Sequence, residues 1–154
     1  MIVLYGIVCF GCVYIGVMIY KYLDDRVRFY NDFIEFLYVY DNNLSFCQDK
    51  LQNVVEKFAG DNHTGFRKFL LLFIKNGGEE IKIESIKPKE IKACQRDLNE
   101  IGKANLETDA NIIKVLITKE KYNLEKATKL KNKYGSLAIK ISLLIGILLV
   151  ILLI

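Results

Sequence analysis

The side chains able to carry chemistry are few in this sequence, and they stand far apart. They are Cys9, Cys12, Cys47, Cys94 and the single histidine, His63. No metal-ligand spacing and no serine–histidine–aspartate set appears among them. Gly77 and Gly78 do not make a phosphate loop, because no strand–turn–helix pattern surrounds them. The sequence therefore predicts a protein that is not an enzyme and that uses no metal and no cofactor.

The charged residues are interspersed through the middle of the chain. Twenty-two Lys and Arg stand against eighteen Asp and Glu, a formal net charge of +4, and all of them lie between Lys21 and Lys140. The carboxylates have lysines nearby, a pattern typical of solvated helix faces. No basic patch interleaves with exposed aromatic residues, so we expect no nucleic-acid partner and no small-molecule substrate.

The most informative stretch is the apolar run near the C-terminus. Between Ile141 and Ile154 only Ser142 carries a polar side chain. Counted from Gly135 the run has twenty residues, about 30 Å of α-helix, which matches the hydrocarbon core of a bilayer. Lys140 fits near the end of such a span, because its ammonium group reaches back to the headgroups. We predict a transmembrane helix over 135–154; apolar residues on every face disfavour the alternative, a core helix of a soluble protein.

A second apolar run opens the sequence. The nineteen residues of 2–20 contain no ionisable group other than tyrosine phenols, and Lys21 follows directly. This length fits one crossing, so we predict a transmembrane helix over 1–20. A cleaved or lipidated signal sequence is the disfavoured alternative, because no basic residue precedes the run and no small-residue cleavage site follows it. Four small residues share about a third of this helix and are predicted to pack against another membrane helix: Gly6, Cys9, Cys12 and Gly16.

Residues 21–134, between the two runs, are expected to form one small domain on one side of the membrane. The basic residues nearest the spans are all on the domain side: Lys21, Arg26, Arg28, Lys119, Lys121, Lys126, Lys129, Lys131 and Lys133. Basic residues accumulate in cytoplasmic segments next to spans. The sequence therefore predicts an integral membrane protein whose domain is cytoplasmic.

The domain itself is expected to be an all-α helical bundle of about five to six helices. Apolar residues at helical spacing predict a first helix that Asp41-Asn42-Asn43 ends. Six aromatic residues between Phe29 and Tyr40 either fill the core or leave an apolar face for lipid or a partner, and both alternatives stay open. Further helices are expected near 45–60, 65–76, 88–102 and 106–134.

Turn signals set those boundaries. Ser45 and Gln48 form a capping box, and Gly60 ends the helix that they open. Pro88 suits the first position of a helix, where its missing N–H is not needed. Residues 79–86 alternate like a strand, but a lone strand has no partner, so we expect a short helix or an extended linker there.

Two stretches carry a resemblance to a known family. The first is NDFIEFLYVYDNNLSF at 31–46; the second is Ile101-Gly102, a polar turn, a long Lys/Glu helix and KLKNKYGSLAIKISLLIGILLVILLI. With the span–domain–span layout, they resemble the stage III sporulation protein AB family. The domain of that family is similar to the cytoplasmic domains of the F-type inner-membrane platform proteins of type II secretion and type IV pili.

The resemblance implies a non-catalytic subunit of the channel-like, secretion-like complex between mother cell and forespore in sporulation. The protein would lie in the mother-cell membrane around the forespore, with other subunits of the channel complex. It would link a cytoplasmic ATPase of the stage III sporulation protein AA type to the membrane ring. Two other classes remain open: a platform or adaptor subunit of a secretion or pilus system outside sporulation, and a membrane-bound regulator or enzyme whose site needs a second chain.

One turn departs from the family pattern. Where the family has a Ser-Asp turn followed by a Gln, this sequence has Ala104, Asn105 and Asp109. We expect Gly102 to take the left-handed conformation and Asn105 to cap the following helix. Because an exposed helix start offers unpaired N–H groups, a partner is predicted to bind the turn Gly102, Lys103, Ala104 and Asn105. The alternative is that the turn only joins two helices.

Overall fold

The computed structural model describes residues 2–46, 51–60, 65–76, 81–101 and 106–153. Within these ranges all regular structure is helical and no strand is present. The helices are α1 (Ile2–Phe46), α2 (Leu51–Ala59), α3 (Gly65–Asn76), α4 (Pro88–Glu100), α5 (Leu106–Leu130) and α6 (Ser136–Leu153). A π-helical turn, Lys131–Gly135, connects α5 to α6. The predicted all-α class is confirmed.

Two predicted helix boundaries, at Gly60 and at Pro88, are confirmed. Gly60 follows α2 with φ of +48°, a conformation that glycine takes without strain. Pro88 stands at the start of α4, behind an extended Lys87 whose carbonyl accepts hydrogen bonds from the N–H groups of Glu90 and Ile91. Residues 81–86 form no strand; the N–H of Ile86 instead donates to the carbonyl of Ile83 in a tight turn.

One predicted boundary is wrong. The helix does not end at Asp41-Asn42-Asn43, because α1 continues through these residues to Phe46. Asp and Asn cost at most about 0.7 kcal/mol each relative to Ala in a helix interior, so tertiary packing can override them. Tyr40 supplies such packing, since it is buried one residue before the run. Ser45 therefore lies inside α1, and Gln48 of the predicted capping box is outside the described residues.

The described chain divides into two compact units. One consists of 1–27 with 126–154, and the other is 28–125. The first unit thus contains both apolar helical stretches, and the second contains most of the charged middle of the chain. The predicted limits of the domain, 21 and 134, lie several residues from these divisions and stay a prediction.

Aromatic side chains form much of the buried core of the 28–125 unit. Phe66 of α3 stacks on Phe33 of α1, with ring centres 4.6 Å apart, and meets Phe29 edge-on at 5.3 Å. Phe36 of α1 meets Phe58 of α2 at 5.4 Å. Each such pair adds about 0.5–1.5 kcal/mol beyond the burial of apolar area. Of the six aromatic residues between Phe29 and Tyr40, only Tyr38 is exposed, so this stretch serves mainly as core.

Apolar side chains of α4 and α5 are buried in the same unit: Ile91, Cys94, Leu98, Ile113, Leu116 and Ile117. Their spacing of three and four residues places them on one stripe of each helix, as the sequence predicts. The two helices therefore turn their apolar stripes inward, and most of their charged residues lie on the other faces.

Candidate membrane-spanning pair and buried polar cluster

Two helices are long and apolar enough to cross a membrane. In their most apolar stretches only 6% and 11% of the residues are buried. Large apolar side chains such as Phe10, Ile15, Leu144 and Leu152 are instead 57–80% exposed. A core helix of a soluble protein buries such residues, because exposed apolar area costs roughly 25 cal/mol per Å² in water. Lipid is the solvent that suits these surfaces.

Gly16 allows a close approach between α1 and α6. A Cβ atom added at Gly16 would lie 3.0 Å from the Cα of Ile139 and 2.8 Å from the Oγ of Ser142. Gly16 is buried although most of its neighbours on α1 are exposed. Any larger side chain at this position therefore has to push the two helices apart.

Gly146 of α6 makes the reciprocal contact with Cys9 and Cys12. A Cβ atom added at Gly146 would lie 3.2 Å from the Cβ of Cys12 and 3.5 Å from the Cα of Cys9. Of the four small residues singled out from the sequence, Cys9, Cys12 and Gly16 thus lie at α6. Gly6 makes no such contact within the described part of the chain, where no atom outside its own helical backbone lies within 4 Å of its Cβ position.

The contact extends beyond the apolar stretch to the π turn. The Nζ of Lys131 lies 2.7 Å from the Oδ1 of Asp24 and 5.7 Å from the ring centre of Tyr20. A Cβ atom added at Gly135 would lie 2.9 Å from the same tyrosine ring. The sequence alone does not predict that Ser142, Gly146 or Gly135 lies in a helix contact, because the contact appears only when α1 lies beside them.

A second notable arrangement is a polar cluster between α4 and α5. Asp97 of α4 is buried and accepts a hydrogen bond from the ammonium group of Lys119. Glu120 is 1% exposed, and its Oε2 accepts a hydrogen bond from Asn123 at 3.0 Å. Asp109, near the start of α5, is buried too. The expectation that the carboxylates stand on solvated faces is therefore wrong for these three residues.

The electrostatics of this cluster disfavour ionisation at two positions. Burial raises the pKa of Glu120, and the nearby Asp97 and Glu90 raise it further, while Asn123 and Lys119 act in the opposite direction. Burial also raises the pKa of the Cys94 thiol, with Glu120 and Asp97 contributing. A thiol kept protonated is a poor nucleophile and behaves as a small apolar side chain. Among the described residues no group of His, Cys, Asp and Glu is arranged to hold a metal ion.

Some residues singled out from the sequence lie outside the described ranges. They are Cys47, His63 and the turn Gly102, Lys103, Ala104 and Asn105. The role of that turn as a partner site stays a prediction.

No protein-family profile, curated protein or solved structure matches the chain. The helix pair and the buried cluster therefore have to be interpreted from their own geometry.

Proposed function

We propose that the protein is a non-catalytic, membrane-anchored subunit of a larger assembly. Both apolar helices cross the membrane, and the residues between them form a cytoplasmic helical bundle that binds partner proteins. The observation that carries the proposal is the pair of apolar helices, exposed on most of their surface and closely packed where Gly16 meets Ser142 and Gly146 meets Cys12. Close approach through small residues is how helices associate in lipid, where apolar burial gives no driving force.

The resemblance to the stage III sporulation protein AB family makes the proposal specific. On that basis the assembly is the channel complex between mother cell and forespore, and the cytoplasmic partner is an ATPase of the stage III sporulation protein AA type. The same architecture would serve a platform or adaptor subunit of another secretion or pilus system. The identity of the ATPase that co-purifies with the chain from solubilised membranes separates these two assignments.

The membrane topology tests the proposal directly. We expect the chain to stay in the membrane pellet after alkaline carbonate extraction. A reporter fused after Tyr134 should be active only if it is a type that works in the cytoplasm, because basic residues near the spans stay on that side. Extraction into the supernatant, or activity of a periplasmic-type reporter at Tyr134, contradicts the two-span cytoplasmic arrangement.

A further inference from the structure

Lys140 is the one charged residue within the predicted span 135–154. Its side chain is exposed, and it stands two residues before Ser142, which meets α1. The two side chains therefore leave the helix about 200° apart. Leu137 and Leu144, on the same side of the helix as Lys140, are 45% and 63% exposed. Lys140 thus lies on the lipid-facing side of α6 and not at its contact with α1.

Three tyrosines mark the level at which this side of α6 meets the headgroups. Tyr20, Tyr22 and Tyr134 are 37%, 39% and 43% exposed, and exposed tyrosines gather at the membrane interface. The ring of Tyr20 lies against Gly135, at the start of the span. Lys140 follows Gly135 by five residues, about 7.5 Å deeper. Because a helical side chain leans toward the N-terminal end of its helix, which for α6 is the interface end, the ammonium group of Lys140 is carried back toward the headgroups.

A second lysine stands above Lys140 on the same side of the chain. Lys133, Leu137 and Lys140 are spaced by four and three residues, which places them along one side of the helix, and all three are exposed. The ammonium group of Lys133 lies 5.1 Å from the ring centre of Tyr134, at the interface. Two cations therefore meet the headgroup level directly above an apolar surface. We call Lys133, Leu137 and Lys140 the α6 lysine site.

We propose that the α6 lysine site binds the phosphate headgroup of an anionic phospholipid, with an acyl chain of the same lipid along Leu137 and Leu144. The inference rests on the proposed function, since it needs α6 in the membrane, and it adds a lipid ligand to that function. The lipid satisfies both parts of the site, because its phosphate is paired with the ammonium groups while its chain covers the exposed leucines. Each basic residue near an anionic membrane surface favours the anionic lipid by about fivefold.

A second copy of the chain offers no partner for Lys140. Segments 2–23 and 126–154 contain no carboxylate side chain, and Asp24, the first one after the N-terminal run, bonds to Lys131. Lys131 stands nine residues before Lys140, about 13 Å nearer the cytoplasm. Copies in one membrane share the same depth, so Asp24 and its neighbour Asp25 stay above Lys140 on a fixed helix. A phospholipid can instead lower its phosphate toward the ammonium group by local thinning of the bilayer.

The first experiment measures lipid binding to the purified full-length chain in detergent micelles by native mass spectrometry. Phosphatidylglycerol is compared with phosphatidylcholine of the same acyl chains. We expect a preference for phosphatidylglycerol that Lys133→Gln and Lys140→Gln each reduce about fivefold, while Lys140→Arg keeps it. Lys89→Gln makes the same charge change at an exposed position of α4 and should leave the preference unchanged.

Three results of this experiment overturn the proposal. The first is a preference that survives Lys140→Gln, and the second is an equal loss in the Lys89→Gln control. The third is binding of soluble glycerol phosphate as tight as that of phosphatidylglycerol, because the site would then take a free phosphate and not a lipid.

The second experiment identifies the occupant in cells that contain the natural partners of the chain. A photo-reactive phenylalanine analogue replaces Leu137 in the full-length chain; the matched control carries it at Leu148, which is 58% exposed. The two positions are eleven residues apart, so they share one face of α6 at different depths. We expect lipid adducts at 137 that mass spectrometry finds enriched in anionic phospholipids relative to those at 148. Adducts with a protein at 137, or the same lipid proportions at both positions, overturn the proposal.

The two proposals fail in different ways. A chain that resists carbonate extraction and carries its domain in the cytoplasm, yet shows no preference for phosphatidylglycerol, removes only the lipid site. A chain that carbonate extracts removes the proposed function.

Discussion

At the scale of single residues, Glu120 is the most deeply buried carboxylate among the described residues. Burial without a full ion pair disfavours the charged form, because a carboxylate loses its hydration there. Asn123 donates one hydrogen bond to it, and Lys119 is shared with Asp97. The pKa of Glu120 is therefore raised in the folded state, with burial as the largest cause.

This residue gives the stability of the protein a defined pH dependence. Above pH 4.5, the ordinary pKa of glutamate, the unfolded chain releases the proton that folded Glu120 still holds. The contribution of protonated Glu120 to the free energy of unfolding is therefore complete below pH 4.5. It is lost as the pH rises through the higher folded-state pKa. We expect Glu120→Gln to reduce this loss, measured by thermal unfolding of the full chain in detergent micelles at a series of pH values.

The control for Glu120 is another glutamate on the facing helix. Glu100, at the exposed end of α4, should keep the wild-type pH profile when it is changed to Gln. If Glu120→Gln and the wild-type chain lose stability in parallel above pH 4.5, the assigned role of Glu120 is wrong.

At the scale of elements, the α1–α6 contact rests on two matched pairs of small residues. Cys12 and Gly16 are four apart on α1, and Ser142 and Gly146 are four apart on α6. Gly16 meets Ser142 and Cys12 meets Gly146, so the two helices run antiparallel at their contact. This spacing keeps both small residues of a helix on one face and lets the backbones approach.

This contact predicts a disulfide. A Cβ atom at Gly146 would lie 3.2 Å from that of Cys12, close to the range of about 3.5–4.5 Å that a disulfide needs. In a chain with Cys9, Cys47 and Cys94 changed to Ala, we expect Gly146→Cys to form a bond with Cys12 on mild oxidation. After proteolysis within 28–125, the two membrane fragments should stay joined on a non-reducing gel. Fragments that separate would contradict the observed contact.

The same cross-link measures the role of Gly16. Gly16→Leu should insert into the membrane as before but reduce cross-linking sharply, because its side chain meets the backbone of Ile139. Gly11→Leu is the matched control, since among the described residues no atom outside the backbone of the same helix lies within 4 Å of the Cβ position of Gly11. Equal cross-linking in both variants would show that Gly16 is not needed for the approach.

At the scale of the whole molecule, the sequence predicts the helices better than the interior of the domain. Apolar periodicity and the glycine and proline signals find most helices, because those signals act locally. The buried position of Asp97 is not local: its partner Lys119 lies 22 residues away on another helix. The presence of lysines near a carboxylate in the sequence therefore does not show whether that carboxylate lies on the buried or on the exposed face of its helix. The continuation of α1 past Asp41 has the same origin, since packing outweighs weak local preferences.

The contact between α1 and α6 shows the same limit. Cys9, Cys12 and Gly16 are recognisable from the sequence as small residues on one helix face. The sequence does not mark Ser142 and Gly146 as contact residues, because both stand in a helix that is apolar on every face. Their role follows only from the position of α1 beside them. The contact of Gly135, in the π turn, with Tyr20 could not be predicted either, because it joins residues far apart in the chain.

That π turn has a consequence for changes in chain length. An α-helix turns by about 100° per residue. In an uninterrupted α-helix the eight steps from Ala127 to Gly135 would exceed two full turns by about 80°, so the two residues would lie on different faces. Both residues are nevertheless buried, because a π turn takes in one additional residue. Removing Asn132 should convert the turn to ordinary α-helix and keep both residues on one face. The Cys12 cross-link should therefore survive this deletion.

Removal of one residue inside α6 should not be tolerated in the same way. Without Leu144, residue 146 is rotated by about 100° around α6 relative to Ser142. It then no longer faces Cys12, and the cross-link should be lost. The turn at 131–135 is thus a position where the chain can shorten by one residue and keep its helix contacts, so natural one-residue deletions in this helix are expected to fall there.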